Sequence, residues 1–263
     1  MRTKLVVGNW KMNNTIREAA AAVDSFIKIV DAKPDVDVVI CPAYLAIPRV
    51  RELLKNTHVK VGAQNVFWEE KGAYTGQVSP AMLYDAGVTF CIVGHSESRG
   101  RFGKVETDPA TLGYFCESEL TINKKIHTLL YYSITPILCV GETDDERGAG
   151  KTDEVISAQL EGALKGLDSV ELYGLVVAYE PVWAIGTGNT CDSAEAERVC
   201  ASIRQRLTKR LGADEANTIR ILYGGSVKSS NSRDLFHQPD IDGGLVGGAS
   251  LDPEEFRKIV MSA

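Results

Sequence analysis

Three residues in this chain carry side chains suited to moving a proton or holding negative charge. Each follows a short apolar run: Lys11 in Trp10-Lys11-Met12, His95 after Val93-Gly94, and Glu180 just before Pro181. A carboxylate and an imidazole are common general acid–base groups, and an ammonium offers fixed positive charge. Two glycine-rich spots, Gly224-Gly225-Ser226 and Gly247-Gly248, can turn backbone N–H groups toward an oxyanion. Taken singly, none of these signals decides anything. A histidine at a strand end is more often a satisfied structural residue, and a glutamate before proline is usually a solvated loop carboxylate. Lys11 can snorkel from an apolar patch, and a double glycine is usually a tight turn.

The elements that must position them are short β-branched runs alternating with longer segments of helical periodicity. The runs predict strands over 4–9, 37–41, 59–65, 89–94, 136–141, 175–180, 219–223 and 244–247. Several, such as Val38-Val39-Ile40 and Leu175-Val176-Val177-Ala178, are continuously apolar, as in a parallel strand covered on both faces. Helices are expected over 14–32, 44–56, 79–86, 117–132, 153–167, 192–211, 228–236 and 253–261. Asn14-Thr15, Ser79-Pro80, Asp192-Ser193 and Asp252-Pro253 supply capping side chains or an early proline at helix starts. Leu160, Ala163, Leu164 and Leu167 have the spacing of a helix laid on a core.

Eight strand–helix units in 263 residues, with no linker or low-complexity tract, predict an α/β architecture: a closed (β/α)8 barrel, one domain over 1–263. An open doubly wound sheet would alternate in the same way. What separates the two is where the unusual residues collect. Asn9 and Lys11 follow the first predicted strand and His95 the fourth, Cys139-Val140-Gly141-Glu142 closes the fifth, Glu180 the sixth, and paired glycines follow the seventh and eighth. That is the face on which such barrels build active sites.

Composition narrows the function. A net charge of −6 without a long Lys/Arg run argues against nucleic acid as a partner. The apolar stretch near the N-terminus is too short for a signal peptide, and nothing reaches the length of a membrane span, so no membrane partner is expected and the expected compartment is the cytoplasm. The six cysteines (Cys41, Cys91, Cys116, Cys139, Cys191, Cys200) form no C-x-x-C pair and lie at no metal-ligand spacing with histidine, so reduced thiols and no metal are expected.

The motifs, in register along essentially the whole chain, resemble one family, triosephosphate isomerase. The resemblance rests on Gly8-Asn9-Trp10-Lys11-Met12-Asn13, Gly62-Ala63-Gln64-Asn65, Ala73-Tyr74-Thr75-Gly76 and Val93-Gly94-His95-Ser96-Glu97. It continues through Pro136-Ile137-Leu138-Cys139-Val140-Gly141-Glu142 and, most specifically, Ala178-Tyr179-Glu180-Pro181-Val182-Trp183-Ala184-Ile185-Gly186-Thr187-Gly188. Ile221-Leu222-Tyr223-Gly224-Gly225-Ser226-Val227 and Leu245-Val246-Gly247-Gly248-Ala249-Ser250-Leu251 complete it.

This resemblance implies interconversion of dihydroxyacetone phosphate and D-glyceraldehyde 3-phosphate through an enediolate, without a cofactor. It implies Glu180 as base, His95 as electrophile, Lys11 as fixed cation and Asn9 as an orienting amide. Gly186, Ser226, Gly247 and Gly248 would bind the substrate phosphate, and 181–188 would be a lid whose closed form Tyr223 and Ser226 hold. Glu97 and Cys139 are implied as supporting residues, Glu97 by positioning Lys11 or the substrate side of its loop. It further implies a homodimer, with the loop around Thr75 reaching its neighbour beside Asn9 and Lys11.

The chain departs from the family pattern in two places. Ser98 and Gln77 stand where the family usually has an arginine and a glutamate, which suggests an interface ion pair replaced as a unit by neutral groups. An insertion covers roughly 100–114 and includes Arg101-Phe102-Gly103-Lys104 and Asp108-Pro109, before Phe115-Cys116-Glu117-Ser118 resumes the pattern. It is expected to reshape the interface or to crowd the lid. Gly148-Ala149-Gly150-Lys151-Thr152 suggests a nucleotide-binding loop, but the required earlier glycine is Asp145 and no strand precedes it. It reads instead as a charged loop leading into a helix.

Overall fold

The computed structural model describes residues 2–103 and 108–263; Lys104, named above in the insertion, lies outside the described residues. The strands are β1 (Lys4–Asn9), β2 (Val36–Cys41), β3 (Lys60–Ala63), β4 (Phe90–Val93), β5 (Thr135–Val140), β6 (Val176–Tyr179), β7 (Arg220–Tyr223) and β8 (Gly243–Val246). They pair in parallel and in sequence order, and β8 closes on β1 with Leu5 opposite Gly243 and Gly8 opposite Val246. The architecture is therefore a closed (β/α)8 barrel.

Strand periodicity explains why the runs are apolar throughout. Alternate side chains point inward, and Leu5, Val7, Val39, Ile92, Ile137, Val176 and Leu222 belong to one cluster that fills the barrel. Their neighbours Val6, Val38, Ile40, Val177 and Ile221 face outward into a second cluster built with the surrounding helices.

Around the barrel lie α1 (Ile16–Val30), α2 (Ile47–Leu53), α3 (Pro80–Asp85), α4 (Glu119–Tyr131), α5 (Asp144–Gly148), α6 (Thr152–Ala163), α7 (Ser193–Leu211), α8 (Ala213–Ala216), α9 (Ser232–Phe236) and α10 (Pro253–Met261). Thr15, Ser79, Asp192 and Asp252 each accept a backbone N–H at the start of their helix. The structure shortens some predicted helices. Leu164 and Leu167 are buried as their spacing suggests, yet they lie beyond the end of α6, where Lys165 N–H to Gly162 and Leu167 N–H to Leu164 form tighter turns. Spacing marks the buried face, not how far the helical bonds run.

The stretch predicted as one helix over 44–56 opens with a 3-10 turn, Tyr44–Ala46, before α2. The short α5 was not expected. Thr143 and Glu146 cap it reciprocally, and Lys151 directly precedes α6. The Gly-Lys-Thr sequence thus sits at a helix start with no strand immediately before it.

Candidate active site

The carboxyl ends of the strands place the candidate residues around a cavity of about 400 Å3, whose wall includes Asn9, Lys11, His95, Gly186, Ser226, Gly247 and Gly248. Asn9 ends β1 and is buried. Two residues later the backbone of Lys11 adopts φ 51°, left-handed for a residue with a Cβ. That geometry costs about 1–2 kcal/mol. The Asn9 side chain, which accepts the Lys11 N–H at 3.1 Å, and Gln64, which donates to the Lys11 carbonyl at 2.8 Å, hold it. The Lys11 ammonium lies 2.5 Å from Glu97 Oε1.

His95 follows β4, and the Glu97 backbone N–H donates to its Nδ1 at 3.2 Å. With Nδ1 accepting, a neutral ring carries its proton on Nε2 and points it to the other side. There Glu180 Oε1 lies 2.9 Å away. Apart from that contact, Glu180 Oε1 is buried without a hydrogen-bond partner among the described residues. The other oxygen, Oε2, accepts the Ser96 N–H at 2.9 Å. Gly141, just after β5, lets the chain there approach the backbone of Glu180, since a Cβ would collide with the Glu180 carbonyl.

The charges of the pair are linked. Burial pushes the Glu180 carboxyl up, but His95, the Ser96 amide and Lys11 pull it down, and the net direction is down. A base strengthened by burial alone is therefore not what the structure shows; Glu180 is held ionised by its neighbours. For His95, burial opposes the imidazolium while the Glu180 carboxylate favours it, and the balance of those charges lies upward. The hydrogen bond at Nδ1 opposes that balance, because an imidazolium would set a second N–H against that of Glu97. The two groups are therefore coupled, the charge on each setting the direction of the other.

Beyond Glu180, Val182–Ala184 form a 3-10 turn, and Gly186 and Gly188 take positive φ. Trp183 Nε1 donates to Glu142 Oε1 at 2.8 Å, and Tyr179 donates to the same oxygen at 3.1 Å. Glu142 also accepts the Val182 N–H through its own carbonyl at 3.1 Å. The Arg147 guanidinium covers the Trp183 ring at 4.0 Å. Tyr223 stands behind this segment with its hydroxyl buried and unpartnered among the described residues. Cys139 is buried near Glu180; burial, and then that carboxylate, push its thiol up.

Glu97, Glu180, Cys139 and Tyr223 thus stand behind the cavity wall formed by the other candidates. Sequence reasoning missed several contributors. Ser96 acts through its backbone, for which side-chain type gives no signal. Arg99 donates to the Gly94 carbonyl at 2.6 Å and the Cys139 carbonyl at 3.1 Å, fastening the end of β4 to that of β5. Lys228, a second cation at the cavity wall, sits just after Gly224-Gly225-Ser226 and was open to notice there.

Comparison with known proteins gives one family. The triosephosphate isomerase family pattern matches residues 4–263. The chain is 46% identical to the triosephosphate isomerase of Roseiflexus sp. (strain RS-1), over 99% of this chain and 97% of that one. It is 44% identical to that of Clostridium tetani (strain Massachusetts / E88), over 99% and 96% respectively. Against the triosephosphate isomerase of Dictyoglomus thermophilum the identity is 43%, covering 100% of both chains.

Proposed function

The chain belongs to the triosephosphate isomerase family, and from that premise we propose that it interconverts dihydroxyacetone phosphate and D-glyceraldehyde 3-phosphate with Glu180 as base and His95 as electrophile. In this reading the whole of 1–263 acts as one catalytic domain. The pairing of a carboxylate base with a neutral histidine is the known pattern of this family and is taken as given.

The observation that carries the assignment is the convergence of Glu180 Oε1 and His95 Nε2, 2.9 Å apart beside the cavity. The reaction removes a proton from one carbon and returns it to its neighbour. Glu180 Oε1 has a free lone pair for that proton, while the Ser96 N–H fixes the other oxygen. With His95 in its neutral form, Glu180 lacks the imidazolium charge that pulls it down most, and burial strengthens it as a base. His95 then donates to the oxygens on which the enediolate's charge develops. Lys11, held by Glu97, adds fixed positive charge, and Asn9 orients the substrate.

Acid–base catalysis supplies only about 10²–10⁴-fold. Binding energy from the non-reacting phosphate must therefore contribute. Backbone N–H groups at Gly186, Ser226, Gly247 and Gly248 suit that phosphate, which barrels of this kind bind after their seventh and eighth strands. The segment 181–188 acts as a lid that excludes water and keeps the enediolate from eliminating phosphate. Tyr223, whose hydroxyl has no partner among the described residues, and Ser226 are the groups that hold it closed. No cofactor or metal is required.

Assembly as a homodimer is supported by the exposure of Met12 (97%), Leu45 (82%) and Met82 (60%). The unbridged cysteines fit a reducing compartment, the cytoplasm. A phosphate-bearing analogue of the enediolate tests the substrate class. It should raise the melting temperature, by an amount that grows with the logarithm of its concentration, while ATP does not; equal stabilisation by both, or by neither, contradicts the reading.

A further inference from the structure

The insertion near 100–114 meets the lid at Gly103. Gly103 lies so close to the lid backbone that a Cβ there would come within 2.6 Å of the Val182 carbonyl oxygen and closer still to that of Ile185. Such an approach is open only to glycine. The approach is also braced from behind. The Arg101 N–H donates to the Ser96 carbonyl at 2.9 Å, which ties the start of the insertion to the residue whose own N–H holds Glu180. The Arg101 guanidinium pairs with Glu146, a carboxylate already fixed by the Thr143 N–H at 2.8 Å. Phe102 packs edge-on against Phe115, ring centres 5.3 Å apart and planes at 89°.

The opposite support of the lid comes from the same short helix. Arg147, next to Glu146 in α5, covers the Trp183 ring, and Glu142 accepts the indole N–H. The lid's first half therefore lies between two arms joined through α5, one being the insertion.

We propose that Arg101-Phe102-Gly103 is a rest for the lid, and that Gly103 is a positioning residue that sets the balance between resting and closed lid. The lid here is at rest: Trp183 is bonded to Glu142, while Tyr223, the group assigned to the closed form, has no partner among the described residues. A side chain at 103 removes the space in which the lid rests and shifts the balance toward closure. The inference depends on the lid reading above, and extends it to a segment by which this chain departs from the family pattern.

Gly103→Ala is the direct test, with Arg101→Met as a gentler variant that keeps the stem and loses the Glu146 pair. Ala110→Ser, at an exposed residue of the same insertion, is the control. Fluorotryptophan NMR follows the lid without turnover, the Trp183 signal being identified by its loss in Trp183→Phe. Gly103→Ala should move that signal toward the position seen with a phosphate-bearing enediolate analogue. It should also lower KM and kcat together several-fold, as a lid that closes more readily also releases product more slowly; Arg101→Met should act less and Ala110→Ser not at all. An unmoved signal with unchanged KM and kcat in both variants overturns the proposal. So does a lower melting temperature as the only effect. A wild-type protein without isomerase activity would refute the functional reading instead, and the Trp183 signal would still decide the role of the rest.

Discussion

The inside of the barrel and the rim at its carboxyl end are built from the same strands under opposite rules. Inside, Leu5, Val7, Ile92, Ile137 and Leu222 are buried and apolar, and every one belongs to a continuous cluster. At the rim, a residue or two further along, Asn9, His95 and Glu180 are buried and polar. There Glu180 Oε1, Glu142 Oε2 and the Tyr223 hydroxyl lack hydrogen-bond partners among the described residues, and Lys11 holds a left-handed backbone. An unsatisfied buried group costs about 1–3 kcal/mol. Removing one large core side chain costs about 2–5 kcal/mol. The magnitudes are alike, so the rim can hold several unfavourable groups only because the closed interior beneath it is complete. Stability and reactivity are separated along each strand by one or two residues.

The largest effect expected on stability follows from breaking the interior. Leu222→Ala should destabilise the chain by about 2–5 kcal/mol in denaturant unfolding. KM should remain unchanged below the melting temperature, since Leu222 faces the cluster and not the cavity. A large rise in KM without loss of stability would erase the distinction between the two regions.

Tyr223→Phe sharpens it from the other side. Deleting a hydroxyl that is buried and unpartnered among the described residues should stabilise the resting protein by about 1 kcal/mol. The same change should lower kcat/KM, because the closed lid loses a bond. A variant that is less stable and fully active would show that the hydroxyl serves the core.

How far sequence reached differs between the regions for a physical reason. The strands were legible because a parallel strand covered on both faces must be apolar throughout, as Val38-Val39-Ile40 is. The caps Thr15, Ser79, Asp192 and Asp252 were legible because a helix start needs an oxygen at one fixed place. At the rim, residue type and position at strand ends picked out Lys11, His95 and Glu180, and the family resemblance supplied their roles. The joints between them were not legible. Ser96 meets Glu180 across 84 positions and Glu142 meets Trp183 across 41, and no local pattern encodes such a contact. The approach of Gly103 to the lid is of the same kind. The down-shifted Glu180 carboxyl depends on His95, Ser96 and Lys11 together, so only the folded structure supplies it.

The smallest effect concerns the rim's outer surface. If an ion pair was replaced as a unit by Gln77 and Ser98, then Gln77→Glu with Ser98→Arg should restore a coupling of up to about 1 kcal/mol in dimer stability. A double variant no more stable than the sum of its single changes removes that explanation.

The central claim is that Glu180 takes the carbon proton as a carboxylate kept ionised by its neighbours. It is tested by the rate of D-glyceraldehyde 3-phosphate isomerisation as a function of pH, for the wild type and for Glu180→Gln. The account predicts fast turnover that falls by at least about 10²-fold in the variant, whose fold is retained. Because the Glu180 carboxyl is shifted down, its own titration, followed by carboxyl 13C NMR in the free protein, should lie below the ordinary glutamate value of about 4.3. Turnover undiminished in Glu180→Gln, or a Glu180 carboxyl that titrates well above that value, would contradict it.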